Sequence, residues 1–256
     1  MSGNTNFAVV DPADVDVTVH DDDTPGIVVV PTSLTISEPS GSDNFTLTLN
    51  TEPESTVSIP LSTSTGQCTV SPVFIELDAA NWTQGMTVTV TAVDDTIIDG
   101  PKTCTILTGP ASSSDAKYDG LDPANVTVTV LDNDTPGIIV FPIHLTVREP
   151  EGSNSFTLAL NSQPLDPVSV PLSASNGECT VAPTSVQLHA ANWDIGVSAT
   201  VTAVDDDIYD GTQTCLILTG PTTSDDPAYH GLDPGNVSVA VEDNDWQYKL
   251  YLPWAV

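Results

Sequence analysis

Apolar and polar residues alternate along most of the chain. In "FTLTLN" (45–50), "TVSIPLS" (56–62), "MTVTVTAV" (86–93), "CTIL" (104–107) and "NVTVTVL" (125–131) the apolar residues fall on every second position. These runs are rich in Val, Ile and Thr and are bounded by Gly, Pro, Asn and Asp, the pattern of half-buried strands. With 27–36 and 73–77 they predict seven short strands in roughly 110 residues, which points to an immunoglobulin-like two-sheet sandwich. No long run has a helical period. The 21 prolines fall mostly at strand ends and turns, where no ladder hydrogen bond is lost.

The whole pattern repeats. "DDDTPGIVVVPTSLTISEPSGSDNFTLTLNT" (21–51) is echoed by "DNDTPGIIVFPIHLTVREPEGSNSFTLALNS" (132–162), and "AANWTQGMTVTVTAVDD" by "AANWDIGVSATVTAVDD". Every landmark shifts by 111 residues with no insertion or deletion: Glu38 to Glu149, Cys68 to Cys179, Trp82 to Trp193, Asp94 to Asp205. Two tandem sandwiches are expected end to end, over 24–134 and 135–245. Shifting backwards aligns "DVDVTVHDDD" (14–23) with "NVTVTVLDND" (125–134) and "NVSVAVEDND" (236–245). Residues 1–23 therefore read as the closing strand and acidic linker of a further repeat, an orphan strand. Residues 246–256 read as a C-terminal tail.

The Glu after the first strand, the "TVTAVDD" segment, the Gly that follows it and the closing "V-x-D-N-D" resemble Calx-β repeats, most closely those of large bacterial surface proteins and adhesins. The resemblance covers both full repeats. It implies β-sandwiches arrayed end to end, often outside the cell, with calcium near one end of each module. In calcium-sensing members of that family another carboxylate follows the third strand. Here the region reads "STSTGQCTVSP" and "SASNGECTVAP", so further ions per module are not expected.

The acids support calcium independently. The chain carries 35 Asp and Glu against 4 Lys and Arg, a net charge of −31. Binding nucleic acid or an anionic membrane surface needs clustered cations that this chain lacks. Calcium takes six to eight oxygen ligands, several of them carboxylates, from more than one loop. In a sandwich of this type the acids meet at one pole. The first repeat offers Glu38, Asp94, Asp95, Asp99, Asp132 and Asp134. The second offers Glu149, Asp205, Asp206, Asp207, Asp210, Asp243 and Asp245. The alternative is turn-forming Asp on a solvated end. Asp132 and Asp134 also adjoin "TPG", so a cation there would brace the step between modules.

Cys68 and Cys104 recur as Cys179 and Cys215. Pairing within each module, Cys68–Cys104 and Cys179–Cys215, respects the repeat. Sequence alone leaves the connectivity open, with buried free thiols as the alternative. Disulfides imply an oxidising, extracellular setting. The start, "MSGNTNFAVV", does not read as a secretion signal, and no stretch is long and apolar enough to span a membrane. Asn44, Asn81, Asn125, Asn133 and Asn236 head glycosylation triplets. Trp82 and Trp193 read as structural plugs rather than sugar platforms. No nucleophile, metal-protease or phosphate-loop motif is found, so no enzyme is expected.

The expected function is a non-enzymatic extracellular structural protein, the subunit of a calcium-stiffened filament. Val15, Val17 and Val19 line one face of the orphan strand. Covering each is worth roughly 1.5–3 kcal/mol. Another copy of the protein could cover them by strand addition, with Tyr248, Leu250 and Leu252 of the tail as the pairing strand. A stalk fragment of a long adhesin, and a carbohydrate- or protein-binding module, are the alternatives.

Overall fold

The computed structural model describes Asp11 and residues 13–246. The first module begins with β1 (Ile27–Val30), β2 (Ser33–Ser37), β3 (Ser42–Leu49), β4 (Val57–Thr63) and β5 (Cys68–Ser71). It continues with β6 (Phe74–Leu77), β7 (Met86–Ala92), β8 (Lys102–Thr108), the two-residue β9 (Ser112–Ser113) and β10 (Val126–Leu131). One sheet has the order β1-β3-β7-β5; the other has β2-β10-β8-β4-β6, with β9 on β4.

The second module repeats this, with β9 reduced to an isolated bridge between Ser169 and Thr223. Its strands are β11 (Ile138–Phe141), β12 (His144–Arg148), β13 (Ser153–Leu160), β14 (Val168–Ala174), β15 (Cys179–Ala182), β16 (Ser185–Leu188), β17 (Val197–Ala203), β18 (Gln213–Thr219) and β19 (Val237–Glu242). Its sheets run β11-β13-β17-β15 and β12-β19-β18-β14-β16.

The two-sheet sandwich expected from the alternation is the fold, with more strands than the pattern marked. The strand predicted over 27–36 divides at Pro31: β1 pairs β3 in one sheet, and β2 pairs β10 in the other. Proline donates no ladder hydrogen bond, so the chain changes sheet there. The strand at Cys68–Ser71 is four residues long and half apolar, too short for a period to show.

Each module has its own core, with Phe45, Leu47, Val88, Val90 and Ile106 in one and Phe156, Leu158, Ala199, Val201 and Ile217 in the other. Trp82 and Trp193 pack half-buried against these cores, as plugs. The disulfides Cys68–Cys104 and Cys179–Cys215 join the two sheets of each module, β5 to β8 and β15 to β18. Tyr118 and Tyr229 are fully buried, and their hydroxyls donate to Thr51 O (2.7 Å) and Ser162 O (2.6 Å). No helix among the described residues is long and apolar enough to cross a membrane.

The expected orphan strand does not form within the chain. Residues 13–23 adopt no strand, and Val15, Val17 and Val19 are 84 %, 77 % and 86 % exposed. Tyr248, Leu250 and Leu252 lie outside the described residues.

Candidate metal centre

The parallel pairing of β2 with β10 brings the ends of both strands to one pole. Glu38 follows β2 and its N–H donates to Leu131 O (3.0 Å), the last residue of β10. Glu38 thus stands beside Asp132 and Asp134, and carboxylate oxygens of the three lie within 4.8 Å of one another. Glu149, Asp243 and Asp245 form the same triad in the second module. Both glutamates are buried, at 9 % and 8 % exposure.

The three acids have different tasks. Asp132 organises the loop between β7 and β8. Its Oδ2 accepts from Asp99 N (2.9 Å) and Gly100 N (2.7 Å), and its Oδ1 accepts from Asp134 N (2.7 Å). Gly100 has φ of 69°, in the left-handed region, which lets two successive N–H groups turn toward one oxygen. Asp243 repeats this with Asp210 N (3.1 Å), Gly211 N (2.8 Å) and Asp245 N (2.6 Å), and Gly211 has φ of 75°. Burial disfavours the charge on Asp132, but the three N–H donors and Lys102 outweigh it, and its pKa lies below the usual value. Asp243 is lowered chiefly by the N–H groups of Asp245 and Gly211.

Glu38 and Asp134 go the other way. Burial raises the pKa of Glu38, helped by the charges of Asp95, Asp132 and Asp94. Burial also raises Asp134, and the charge of Asp132 adds to it. Glu149 and Asp245 are raised for the same reasons. Asp134 Oδ1 accepts from Ser162 Oγ (2.9 Å), whereas its Oδ2 is buried with no hydrogen-bond partner. Asp245 Oδ2 is likewise buried and unpartnered. A buried carboxylate oxygen left unpaired is costly, and a hard cation is the partner such a donor set fits.

The other expected ligands sit around the triads. Asp95 Oδ1 accepts from Ile97 N (2.9 Å), within electrostatic reach of Glu38 together with Asp94. Asp99 pairs with Lys102 (3.2 Å). Asp205 Oδ1 accepts from Asn244 Nδ2 (2.9 Å), and the charge of Asp207 reaches Asp245. Asp206 and Asp210 join a different group: with Glu178 they place carboxylate oxygens within 4.8 Å of one another. Glu178 corrects the expectation that no further carboxylate follows the third strand, because the Glu of "SASNGECTVAP" occupies that place. The first module has Gln67 there, and its Oε1 is buried without a partner. Comparing the two repeats position by position would have exposed this exchange. Two further buried acids, Asp115 and Asp226, lie at the opposite pole. They are structural: Asp115 accepts from Glu54 N and Lys117 N (both 2.9 Å), and Asp226 from Leu165 N (2.8 Å) and Ala228 N (2.9 Å).

Several glycosylation triplets have structural work. Asn125 Oδ1 accepts from Thr108 N (2.9 Å), Asn236 Oδ1 from Thr219 N (3.1 Å) and Asn44 Oδ1 from Thr89 Oγ1 (2.7 Å). Asn81 Nδ2 donates to Glu76 O (3.1 Å), a bond that a glycan on that nitrogen would disturb.

No curated protein sequence matches this one. Among solved structures, the calcium binding domain CBD12 of CALX1.1 aligns at 12 % identity over 84 % of this chain and 99 % of that one, with a TM-score of 0.39. CBD12 from CALX1.2 aligns at 13 % identity over 79 % and 82 %, with a TM-score of 0.34. The D0-D1 domain of intimin aligns at 13 % identity over 84 % and 97 %, with a TM-score of 0.25. The Calx-beta domain matches twice, over residues 20–134 and 132–245, and together these matches take in nearly all of the described residues: the chain belongs to the Calx-beta domain family.

Proposed function

We propose that the chain is a non-enzymatic, extracellular structural protein whose modules bind calcium at the Glu38–Asp132–Asp134 and Glu149–Asp243–Asp245 poles. The observation that carries this reading is the buried, unpartnered carboxylate oxygen at the same position of both triads, Asp134 Oδ2 and Asp245 Oδ2. Bound calcium would supply the positive charge that those oxygens and the raised glutamates lack. Asp132 and Asp243 have already committed their oxygens to loop N–H groups, so they hold the pole in shape and add charge to it. Asp134 links the pole to Ser162 of the next module, and a cation held there would stiffen the boundary. Isothermal titration against calcium, with thermal melts in calcium and in chelator, tests the reading. No calcium uptake, and melts that coincide, would refute it.

The finer reading is a filament subunit assembling head to tail by strand addition. Val15, Val17 and Val19 correspond to Val126, Val128 and Val130 of β10 and to Val237, Val239 and Val241 of β19, all buried. The segment therefore has the sequence of a strand that lives between two neighbours, yet it lies bare. A long exposed apolar strand is a template for pairing with another chain. Deleting residues 1–20 should abolish such assembly; a chain that assembles equally without them rules out strand addition. The adhesin-stalk alternative predicts isolated short rods by negative-stain imaging, and the two disulfides favour an oxidising location for either.

A further inference from the structure

Asn176 and Gly177 lie in the turn between β14 and β15, the one place in the chain where Gly follows Asn. Both residues are exposed. The 111-residue shift places Thr65 and Gly66 at the same turn of the first module. They are exposed as well, although a further module follows theirs. Exposure therefore belongs to the turn itself and not to what stands beyond the module.

The Asn176 side chain is held at both of its polar atoms. Its Nδ2 donates to Thr214 O (3.0 Å), and its Oδ1 accepts from Glu178 N (3.3 Å). The second contact folds the side chain back along its own main chain, across the Gly177 peptide. A Cβ built at Gly177 would meet nothing within 4 Å, so the space around that peptide is open.

We propose that Asn176 is a site of spontaneous deamidation, with water as the co-reactant. Gly177 N gives up its proton and attacks Asn176 Cγ. A new N–C bond closes a cyclic imide, the Cγ–Nδ2 bond breaks, and Nδ2 takes a proton and leaves as ammonia. Water then adds to either imide carbonyl and opens the ring, giving aspartate or its β-linked isomer. The sum is amide and water to carboxylate and ammonium, with no oxidant or reductant. The charge that develops on Oδ1 during the attack faces the Glu178 N–H, which stabilises it. Glycine leaves the backbone free to reach the closing geometry.

Asn154 shows the contrast. It is followed by Ser155, whose N–H also donates to the preceding Oδ1 (2.8 Å). That pair lies inside β13, where the ladder with β17 fixes the backbone in the extended form, and ring closure there would break the sheet.

Conversion changes the second module alone. A carboxylate only accepts hydrogen bonds, so the bond to Thr214 O is lost. The new charge stands two residues from Glu178, whose carboxylate gathers with Asp206 and Asp210. Thr65 denies the first module the same chemistry. The proposal is independent of the calcium reading.

The full chain, held for weeks at body temperature in mildly alkaline buffer, is digested and mapped by mass spectrometry, and the β-linked isomer is labelled with an isoaspartate methyltransferase. The expected result is an amide-to-acid mass gain in the peptide holding Asn176 ahead of every other asparagine peptide, with the methyl label in the same peptide. Asn176→Thr, which copies the first module, should remove both signals. Gly177→Ala keeps Asn176 and has room for its methyl group, and should slow conversion on the order of tenfold by restricting the closing geometry. No gain at Asn176, a gain that appears first at another asparagine, or a Gly177→Ala chain that converts at the parent rate overturns the proposal. Conversion in urea but not in native buffer also overturns it, because the folded turn would then be protecting Asn176.

Discussion

The two acidic poles are built on one plan and differ in what surrounds them. In the first module the pole is roofed by the next module: Ser162 caps Asp134, and Ile97 and Ile98 are half-buried. In the second the corresponding Ile208 and Tyr209 face solvent. The charges differ too. The first pole holds Gln67 and the Lys102–Asp99 pair, where the second has Glu178, Gln213 and Asp210, whose carboxylate joins a second acidic group. The shared triads show what the fold requires of every module. The differences show which positions around the triads vary between the repeats.

Several changes would break or sharpen this comparison. The largest effect should be the same in both modules. Each disulfide spans 36 residues, and removing one as Cys68→Ser/Cys104→Ser or Cys179→Ser/Cys215→Ser should cost about 3–4 kcal/mol in urea unfolding. A marked inequality would show that the modules do not share one stability plan. Next comes the loop clamp. Asp132→Ala strands three backbone N–H groups and should cost about 2–3 kcal/mol in the same measurement. Asp243→Ala should cost less, because the loop it holds is more exposed.

Glu38→Gln and Glu149→Gln each remove a charged oxygen from one triad. Each should weaken calcium at its own pole on the order of tenfold and leave the other unchanged, as read by calorimetry. Coupled losses would mean that the poles communicate. Ser162→Ala deletes the hydrogen bond across the boundary and should cost about 1 kcal/mol. Small-angle scattering should then show a wider spread of angles between the modules, with calcium uptake at the second pole unchanged.

The smallest effect is on pH dependence. Glu38, Asp134, Glu149 and Asp245 have raised pKa values, so in chelator the folded chain holds protons more tightly than the unfolded one. Their contribution is favourable in acid and is lost as pH rises from the ordinary values, 4.5 for Glu and 3.8 for Asp, through the raised ones. Asp132 and Asp243, with lowered values, oppose this by losing stability as pH falls through their own pKa values. Calcium competes with the protons on the raised group, so the melting-temperature gain from calcium should shrink as pH drops through that window. A gain independent of pH there would remove Glu38 and Glu149 from the ligand set.

Much of the fold could be read directly. Alternation in "MTVTVTAV" puts Val88, Val90 and Ala92 inward, and the 111-residue repeat assigns their counterparts Ala199, Val201 and Ala203. Glu38, Asp132 and Asp134 were legible as a group because the family pattern marks both strand ends. Other features were not. The acids of the β7–β8 loop look equivalent in sequence, yet Asp99 pairs with Lys102 and Asp95 turns its own loop, and only the folded loop shows which oxygens are already taken. Glu178 went unread because its significance lies in meeting Asp206 and Asp210, which are nearly thirty residues or more away along the chain.

By itself the sequence determined the class, the repeat, the cysteine positions and the acidity, because period, spacing and charge are properties of the chain before it folds. Tertiary structure decided the rest. It divided the first strand at Pro31, left Val15, Val17 and Val19 exposed, buried one oxygen of Asp134 without a partner and set Ser162 of the second module against the first pole. These outcomes depend on which distant groups arrive at the same place, and solvent exclusion there leaves one oxygen of an ordinary aspartate without a hydrogen-bond partner.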